Sequence, residues 1–214
     1  TPMTDERRTQ TGVVLAARDI SDRKAMEDES RRHQASLSSL SESAMRFGDL
    51  PVDSDMYHFV AERIREMVGN AIVIVNAFDP ATGEMKTKSV LGTDAILQRM
   101  LTVLGKDPTG ALYHPDETTK RQLLLGRLIT MESGLGELSQ THLPRLLSRA
   151  LESMLEIHGA FSIGLVQHEH LLGSIIIITR QRDLQMERSV IEAFASQASI
   201  ALQRRQAETA LKES

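Results

Sequence analysis

The sequence contains no cysteine and no tryptophan, and aromatic residues make up only 3% of its 214 residues. The absence of cysteine excludes disulfides, thiolate nucleophiles and cysteine-ligated zinc or iron–sulfur clusters. It also excludes a haem attached through a cysteine thioether. A histidine-ligated haem has no supporting pattern, so the identity of any cofactor stays open. A cysteine-free chain is compatible with a reducing compartment, and we expect a cytoplasmic location.

Long apolar runs are also missing. The strongest ones, 71–77 and 174–179, have the length of strands and fall far short of the roughly 20 residues that cross a bilayer. The net charge is −4, from 25 basic and 29 acidic residues. This mixed charge predicts neither nucleic acid nor a membrane surface as a partner. No secretory signal is visible. The sequence begins with Thr1 and not with Met, which favours an excised piece of a longer chain.

Apolar periodicity predicts the regular elements. A stripe from Met56 to Val68 predicts an amphipathic helix that is capped by Asp53 or Ser54 and ends at Gly69. Besides a short strand predicted at 12–17, five segments have the composition of strands. They are 71–78, 84–91, 127–132, 160–166 and 171–179. Further helices are predicted at 96–104, at 116–125, at 143–155 and from about Leu184 onward, with a loop at 106–114.

The connections between the predicted strands indicate the fold class. Short polar turns join the first two strands and the last two, so each pair forms a hairpin. Hairpins make antiparallel sheets, whereas parallel sheets need longer crossovers. The sequence therefore predicts an α+β fold with an antiparallel sheet of five or six strands, helices on its faces and long helices at both ends.

The predicted helix at 20–47 carries a weak heptad seam, which includes Met26, Leu37, Leu40 and Phe47 and is interrupted by Ser30 and His33. Charged residues surround the seam. One interpretation is a helix that pairs with its counterpart in a second copy, giving a homodimer through the terminal helices. The other is a helix that packs on its own domain.

Several segments resemble known signalling domains. Residues 12–24, with Arg18-Asp-Ile-Ser-Asp-Arg-Lys24, resemble the end of a PAS domain and its exit helix. Gly173-Ser-Ile-Ile-Ile-Ile and residues 191–202 resemble the last strand and C-terminal helix of GAF domains. The resemblance implies a PAS remnant at 1–22, a linker helix at 23–48, a GAF domain at 49–204 and an exit helix at 205–214.

The whole pattern is similar to PAS/GAF sensor histidine kinases, particularly those of methanogenic archaea. That similarity implies a sensory module whose partners are PAS and kinase domains of the same chain. The fragment itself is not expected to be an enzyme. His33 lacks the sequence context of a phosphoacceptor histidine, and the nucleotide-binding domain that would phosphorylate it is absent from the sequence.

Other candidate motifs carry little chemistry. Residues 133–138 contain two glycines but neither a dinucleotide fingerprint nor a P-loop. His168 and His170 flank Glu169 in a predicted turn, which favours a solvated turn over a metal site. No combination of residues typical of hydrolases is evident, so neither catalytic nor metal-binding residues are predicted.

If a small molecule binds, the resemblance implies a site between the sheet and the region 93–135. The candidate polar residues are Asn76, Tyr113, His114 and Arg127. Asn76 has a second interpretation as a side chain hydrogen-bonded in place, and Arg127 as a surface residue. Three functions follow: a sensor and relay, a ligand-free dimerisation spacer, and, least supported, a small enzyme.

Overall fold

The computed structural model describes Phe47 and residues 55–93, 107–131, 157–184 and 187–213, all within the compact unit Ser43–Ser214. The helices are α1 (Met56–Val68), α2 (Glu117–Leu124) and α3 (Arg188–Glu213). The strands are β1 (Ala71–Asp79), β2 (Glu84–Leu91), β3 (Leu112–Tyr113), β4 (Ile129–Thr130), β5 (Gly159–Gln167) and β6 (His170–Thr179).

The strands form one six-stranded sheet in the order β3-β2-β1-β6-β5-β4. Each neighbouring pair is antiparallel. The predicted hairpins β1–β2 and β5–β6 are both present, and β1 pairs with β6 to join them at the centre of the sheet. The predicted α+β class with an antiparallel sheet is confirmed.

The main apolar core lies on one side of the sheet, which we call the helix face. There α1 packs on β1 and β2, and α3 packs on β5 and β6. The strands contribute fully buried side chains at positions that the register places together, such as Val75 opposite Ile175 and Ile163 opposite the same Ile175. Burying each such side chain stabilises the fold by about 1.5–3 kcal/mol.

The helices complete this core with an aromatic contact. Phe194 of α3 is fully buried. The Phe47 ring stacks on it with a centroid separation of 5.5 Å and meets the Phe59 ring edge-on at 5.1 Å. The Phe47 ring therefore contacts two aromatic rings of its own chain, those of Phe59 and Phe194. The rest of the predicted heptad seam, including Met26, Leu37 and Leu40, lies outside the described residues.

The opposite side of the sheet, which we call the recess face, is covered by α2. This helix packs on β5 and β6. Leu123 anchors it in a small apolar cluster with Met85 and Leu171. Asp116 caps its N-terminus by accepting a hydrogen bond from the backbone of Thr119 at 2.6 Å. The predicted helix at 116–125 is thus present with nearly the predicted bounds.

The boundaries of two helices differ from prediction. The cap of α1 is Asp55 and not Asp53 or Ser54, because its carboxylate accepts hydrogen bonds from the backbone of Tyr57 at 3.0 Å and of His58 at 3.2 Å. The last helix begins at Arg188 and not near Leu184. Leu184 is buried ahead of the helix.

Two short strands also differ from prediction. The predicted loop at 106–114 contains β3, because Leu112 and Tyr113 pair with the free edge of β2. The strand predicted at 127–132 is reduced to Ile129–Thr130. The helices predicted at 96–104 and 143–155 lie outside the described residues.

Gly164 on β5 allows α2 to approach the sheet. A Cβ atom at this position would lie only 2.0 Å from the carbonyl oxygen of Leu123, which is a severe overlap with backbone. We predict that Gly164→Ala lowers the free energy of unfolding by on the order of 1–3 kcal/mol, as overpacking does in other cores. Urea unfolding followed by circular dichroism measures this loss. Ser162→Ala on the same strand is the control, and an equal effect of both changes would contradict the close approach.

Candidate ligand-binding site

A row of hydrogen-bonded polar side chains crosses the centre of the recess face. The register places Asn76 of β1 opposite Thr87 of β2 on one side and opposite Ser174 of β6 on the other. The Thr87 hydroxyl donates to Asn76 Oδ1 at 3.0 Å, and Asn76 Nδ2 donates to Ser174 Oγ at 3.1 Å. All three residues are buried, and Asn76 is completely so. We call these three residues the polar row.

The polar row borders a recess between the sheet and the segment 113–131. Among the described residues the recess has a volume of about 60 Å³. A single water molecule needs roughly 10–15 Å³ of such space, so the recess holds only a few water molecules or a very small organic group. It is lined by Tyr113, Pro115, Thr119, Gln122, Leu123, Ile129, Met131, Ser162, Ser174 and Ile176.

Tyr113 connects the polar row to the recess. Its hydroxyl is hydrogen-bonded to Ser174, which belongs to the row and also lines the recess. Burial raises the pKa of Tyr113 to about 12, and the hydrogen bond with Ser174 opposes this rise only in part. The phenol therefore resists ionisation more strongly than an exposed tyrosine and presents its hydroxyl beside the recess.

The described lining of the recess contains no charged side chain. Its polar members are hydroxyl and amide groups, such as Thr119, Gln122 and Ser162, and the rest are apolar. Burial raises the pKa of Tyr113 because a poorly solvated environment disfavours the charged phenolate. The arrangement therefore suits an uncharged group that exchanges hydrogen bonds with hydroxyls and contacts aliphatic side chains.

The four site residues proposed from sequence occupy different places. Tyr113 lines the recess, and Asn76 lies behind that lining in the polar row. His114 is exposed, with its Nε2 atom 3.7 Å from Glu84 Oε1. Arg127 is also exposed. Neither His114 nor Arg127 is among the residues that line the recess.

Sequence reasoning missed the polar residues that the sheet contributes to the recess. Ser162 and Ser174 each interrupt a strand that is otherwise rich in apolar residues, as Asn76 does. A polar residue in a buried strand normally has a hydrogen-bonding partner. That interruption is the signal that could have identified them, once the pairing of the strands was known.

Other kinds of site find no support within the parts of the chain that the structure describes. Those ranges hold no cluster of three or more side chains suited to binding a metal ion. In the same ranges no helix is both long enough and apolar enough to span a bilayer.

His168 and Glu169 adopt positive φ angles of 47° and 63° in the exposed two-residue turn between β5 and β6, which is the geometry of a tight hairpin turn.

The fold is that of GAF domains. The chain is similar to the chromophore-binding domain of an unusual bacteriophytochrome from R. palustris, with a TM-score of 0.58 and 14% identity over 84% of this chain and 64% of that one. It is similar to the GAF domain of an Acinetobacter phosphoenolpyruvate-protein phosphotransferase, with a TM-score of 0.55 and 10% identity over 80% of this chain and 94% of that one. The wild-type chromophore-binding domain of a Stigmatella aurantiaca phytochrome matches with a TM-score of 0.54 and 12% identity, over 78% of this chain and 59% of its own.

These similarities concern the fold alone, because the identities are low. The chain spans less than two thirds of the phytochrome chromophore-binding domains that it matches. The sequence matches no protein-family profile and no curated protein.

The protonation of Tyr113 gives a direct test of the site. The chain has two tyrosines and no tryptophan, so in a Tyr57→Phe variant the ultraviolet absorbance of tyrosinate reports Tyr113 alone. We predict that the folded variant ionises near pH 12 and that the urea-unfolded variant ionises near pH 10.

The pH dependence of stability follows from the same shift. Because the folded-state pKa is raised, the contribution of Tyr113 is fully present below about pH 10 and is lost as the pH rises towards 12. Circular dichroism at each pH shows whether the chain is still folded. A midpoint near 10 in the folded variant would mean that the phenol is not buried beside the recess.

Proposed function

We propose that the chain is a sensory module of a signalling protein, which binds a small uncharged molecule in the recess and passes the binding event to its terminal helices. The observation that carries this proposal is the partly buried Tyr113, whose hydroxyl is hydrogen-bonded to Ser174 of the polar row and adjoins a recess with no charged side chain in its described lining. The GAF fold supports it, since two of the similar solved structures are chromophore-binding domains.

Ligand binding can be coupled to signalling by a shift between two packings of the helices. A ligand shifts such an equilibrium only by the difference in its affinity for the two states. The helix α3 is suited to this role because it packs on the sheet through Ile191, Phe194 and Leu202 and continues to Glu213, with exposed side chains at 206–211. A displacement at the sheet would therefore be carried along a rigid element.

The context that we propose is a multidomain sensor histidine kinase in the cytoplasm, of the type found in methanogenic archaea. A PAS domain would precede the chain and a further sensory or kinase domain would follow it. The support is the sequence of residues 12–24 and 205–214. In this proposal the kinase belongs to the full-length protein, and the module itself catalyses no reaction.

A thermal-shift screen with small uncharged molecules tests the binding function. We expect at least one compound to raise the melting temperature, because a ligand at about 100 times its dissociation constant stabilises the folded state by about 2.7 kcal/mol. Tyr113→Phe, which removes only the hydroxyl, and Ser162→Leu, which fills the recess, should both reduce the shift.

His114→Ala is the matched control, because His114 is exposed outside the recess. It should leave the shift unchanged. Stabilisation by anions alone, or stabilisation that Tyr113→Phe and Ser162→Leu leave intact, would contradict a neutral ligand at this site. A complete absence of hits would favour the ligand-free dimerisation spacer.

The proposed homodimer has its own test. Replacing Met26, Leu37 or Leu40 by Ala removes apolar side chains from the predicted seam and should weaken self-association. Analytical ultracentrifugation measures the dimer dissociation constant of each variant. Glu27→Ala, which leaves the seam intact, should behave like the parent. If parent and seam variants sediment as equally stable dimers, the seam does not form the interface.

A further inference from the structure

The helix α3 binds the edge of the sheet beside the recess through two side chains. Glu192 Oε1 accepts a hydrogen bond from the backbone N–H of Leu128 at 2.9 Å. Arg188 Nη1 donates to the carbonyl oxygen of the same residue. Arg188 Nη1 and Glu192 Oε1 are 3.6 Å apart, so the two side chains also form an ion pair. We call Arg188, Glu192 and the backbone of Leu128 the clamp.

The clamp replaces hydrogen bonds that a longer strand would supply. Within the described residues the edge strand β4 pairs with β5 through Ile129 and Thr130, and the Met131 N–H also donates to the carbonyl oxygen of Ala160 at 2.8 Å. Leu128 precedes this pairing and is nevertheless buried, with 2% of its surface exposed. A buried backbone N–H or C=O without a partner is costly, and here both groups of one residue receive a partner from α3. Because both backbone groups of Leu128 bond to α3, β4 begins after this residue, later than the sequence predicts.

The clamp lies immediately next to the wall of the recess. Successive residues in an extended segment point to opposite faces, and Ile129, the neighbour of Leu128, lines the recess together with Met131. A few residues before Leu128 in the sequence are Gln122 and Leu123 of α2, which also line the recess. A shift of Leu128 therefore moves two walls of the recess.

We infer that Arg188 and Glu192 are positioning residues, which fix the wall of the recess to the first turn of α3 and couple occupancy of the recess to that helix. Arg188 is the first residue of α3 and Glu192 lies one turn later. A group that displaces Ile129 changes the position of Leu128, and the two side chains carry that change to the start of the helix. The inference rests on the proposed function for its biological meaning, while its geometry is tested without any ligand.

The accessibility of Tyr113 to a small quencher shows whether the clamp holds the recess wall in place. In a Tyr57→Phe background Tyr113 is the only tyrosine, and the chain has no tryptophan, so quenching of tyrosine fluorescence by acrylamide reports entry to the recess. Glu192→Ala should increase the quenching constant by on the order of twofold, because a locally opened segment admits the quencher. Glu192→Gln keeps an acceptor oxygen for the Leu128 N–H and should remain near the parent value.

A second ion pair on the same helix supplies the control. Arg204 Nε and Glu208 Oε1 are 2.8 Å apart with the same four-residue spacing, and both side chains are more exposed than those of the clamp. Glu208→Ala should leave the quenching constant unchanged. Equal quenching in Glu192→Ala and Glu208→Ala would overturn the inference. If Glu192→Ala does not fold, Arg188→Ala replaces it, because the Glu192–Leu128 hydrogen bond is then retained.

Filling the recess tests whether its occupancy changes the start of α3. Ser162→Leu acts as a fixed occupant, and Thr130→Leu places the same side chain at an exposed position of β4. Hydrogen exchange followed by mass spectrometry should show changed protection at 188–192 in Ser162→Leu but not in Thr130→Leu. The change should disappear when Glu192→Ala is added, as a double-mutant cycle requires of coupled groups.

A change at 188–192 that persists in the double variant would show that coupling bypasses the clamp and would overturn the inference. So would the absence of any change in Ser162→Leu. Neither result bears on whether the recess binds a molecule, which the thermal-shift screen decides separately.

Discussion

The antiparallel pairing of β1 with β6 sets the alignment of the whole sheet. It joins two local hairpins into one sheet, and its register places Asn76 opposite Ser174 and Val75 opposite Ile175. If β1 were shifted by one residue against β6, its side chains would change faces. Aliphatic side chains such as Val75 would then face the recess, and the Asn76 amide would enter the apolar core. The apolar core and the polar row therefore specify the same register from opposite sides of the sheet.

The two faces differ in what they contribute. The helix face is closely packed and apolar, with α1 and α3 covering the central strands. The recess face combines the polar row with a helix of only 8 residues, and α2 approaches the sheet closely because Gly164 has no side chain. The main apolar core lies on the helix face, and the recess face carries hydrogen-bonding groups around the recess. The clamp of Arg188 and Glu192 on Leu128 links the two faces at the edge of the sheet.

The elements predicted best from the sequence were those with their own periodicity. The hairpin strands at 71–79 and 84–91 and the amphipathic α1 needed only local patterns and turn residues. The two-residue strands β3 and β4 have no period to detect, and each exists because a neighbour offers an edge or a side chain. Part of the site was predictable, since Asn76 and Tyr113 stand out in their segments. The place of Ser162 and Ser174 in the recess could be predicted only once the strand pairing was known. The hydrogen bonds of Leu128 depend on a helix about 60 residues later in the chain.

We propose that Tyr113 and Ser174 form an uncharged binding surface on one face of the GAF-type sheet, with Asn76 holding Ser174 from behind. A crystal structure of the chain with a stabilising uncharged compound would show where such a molecule binds. We predict that the compound lies between α2 and the sheet, hydrogen-bonded to the Tyr113 hydroxyl, with the Asn76–Ser174 hydrogen bond intact. A compound bound on the helix face, or a sheet in which Asn76 and Ser174 are not opposite one another, would contradict it.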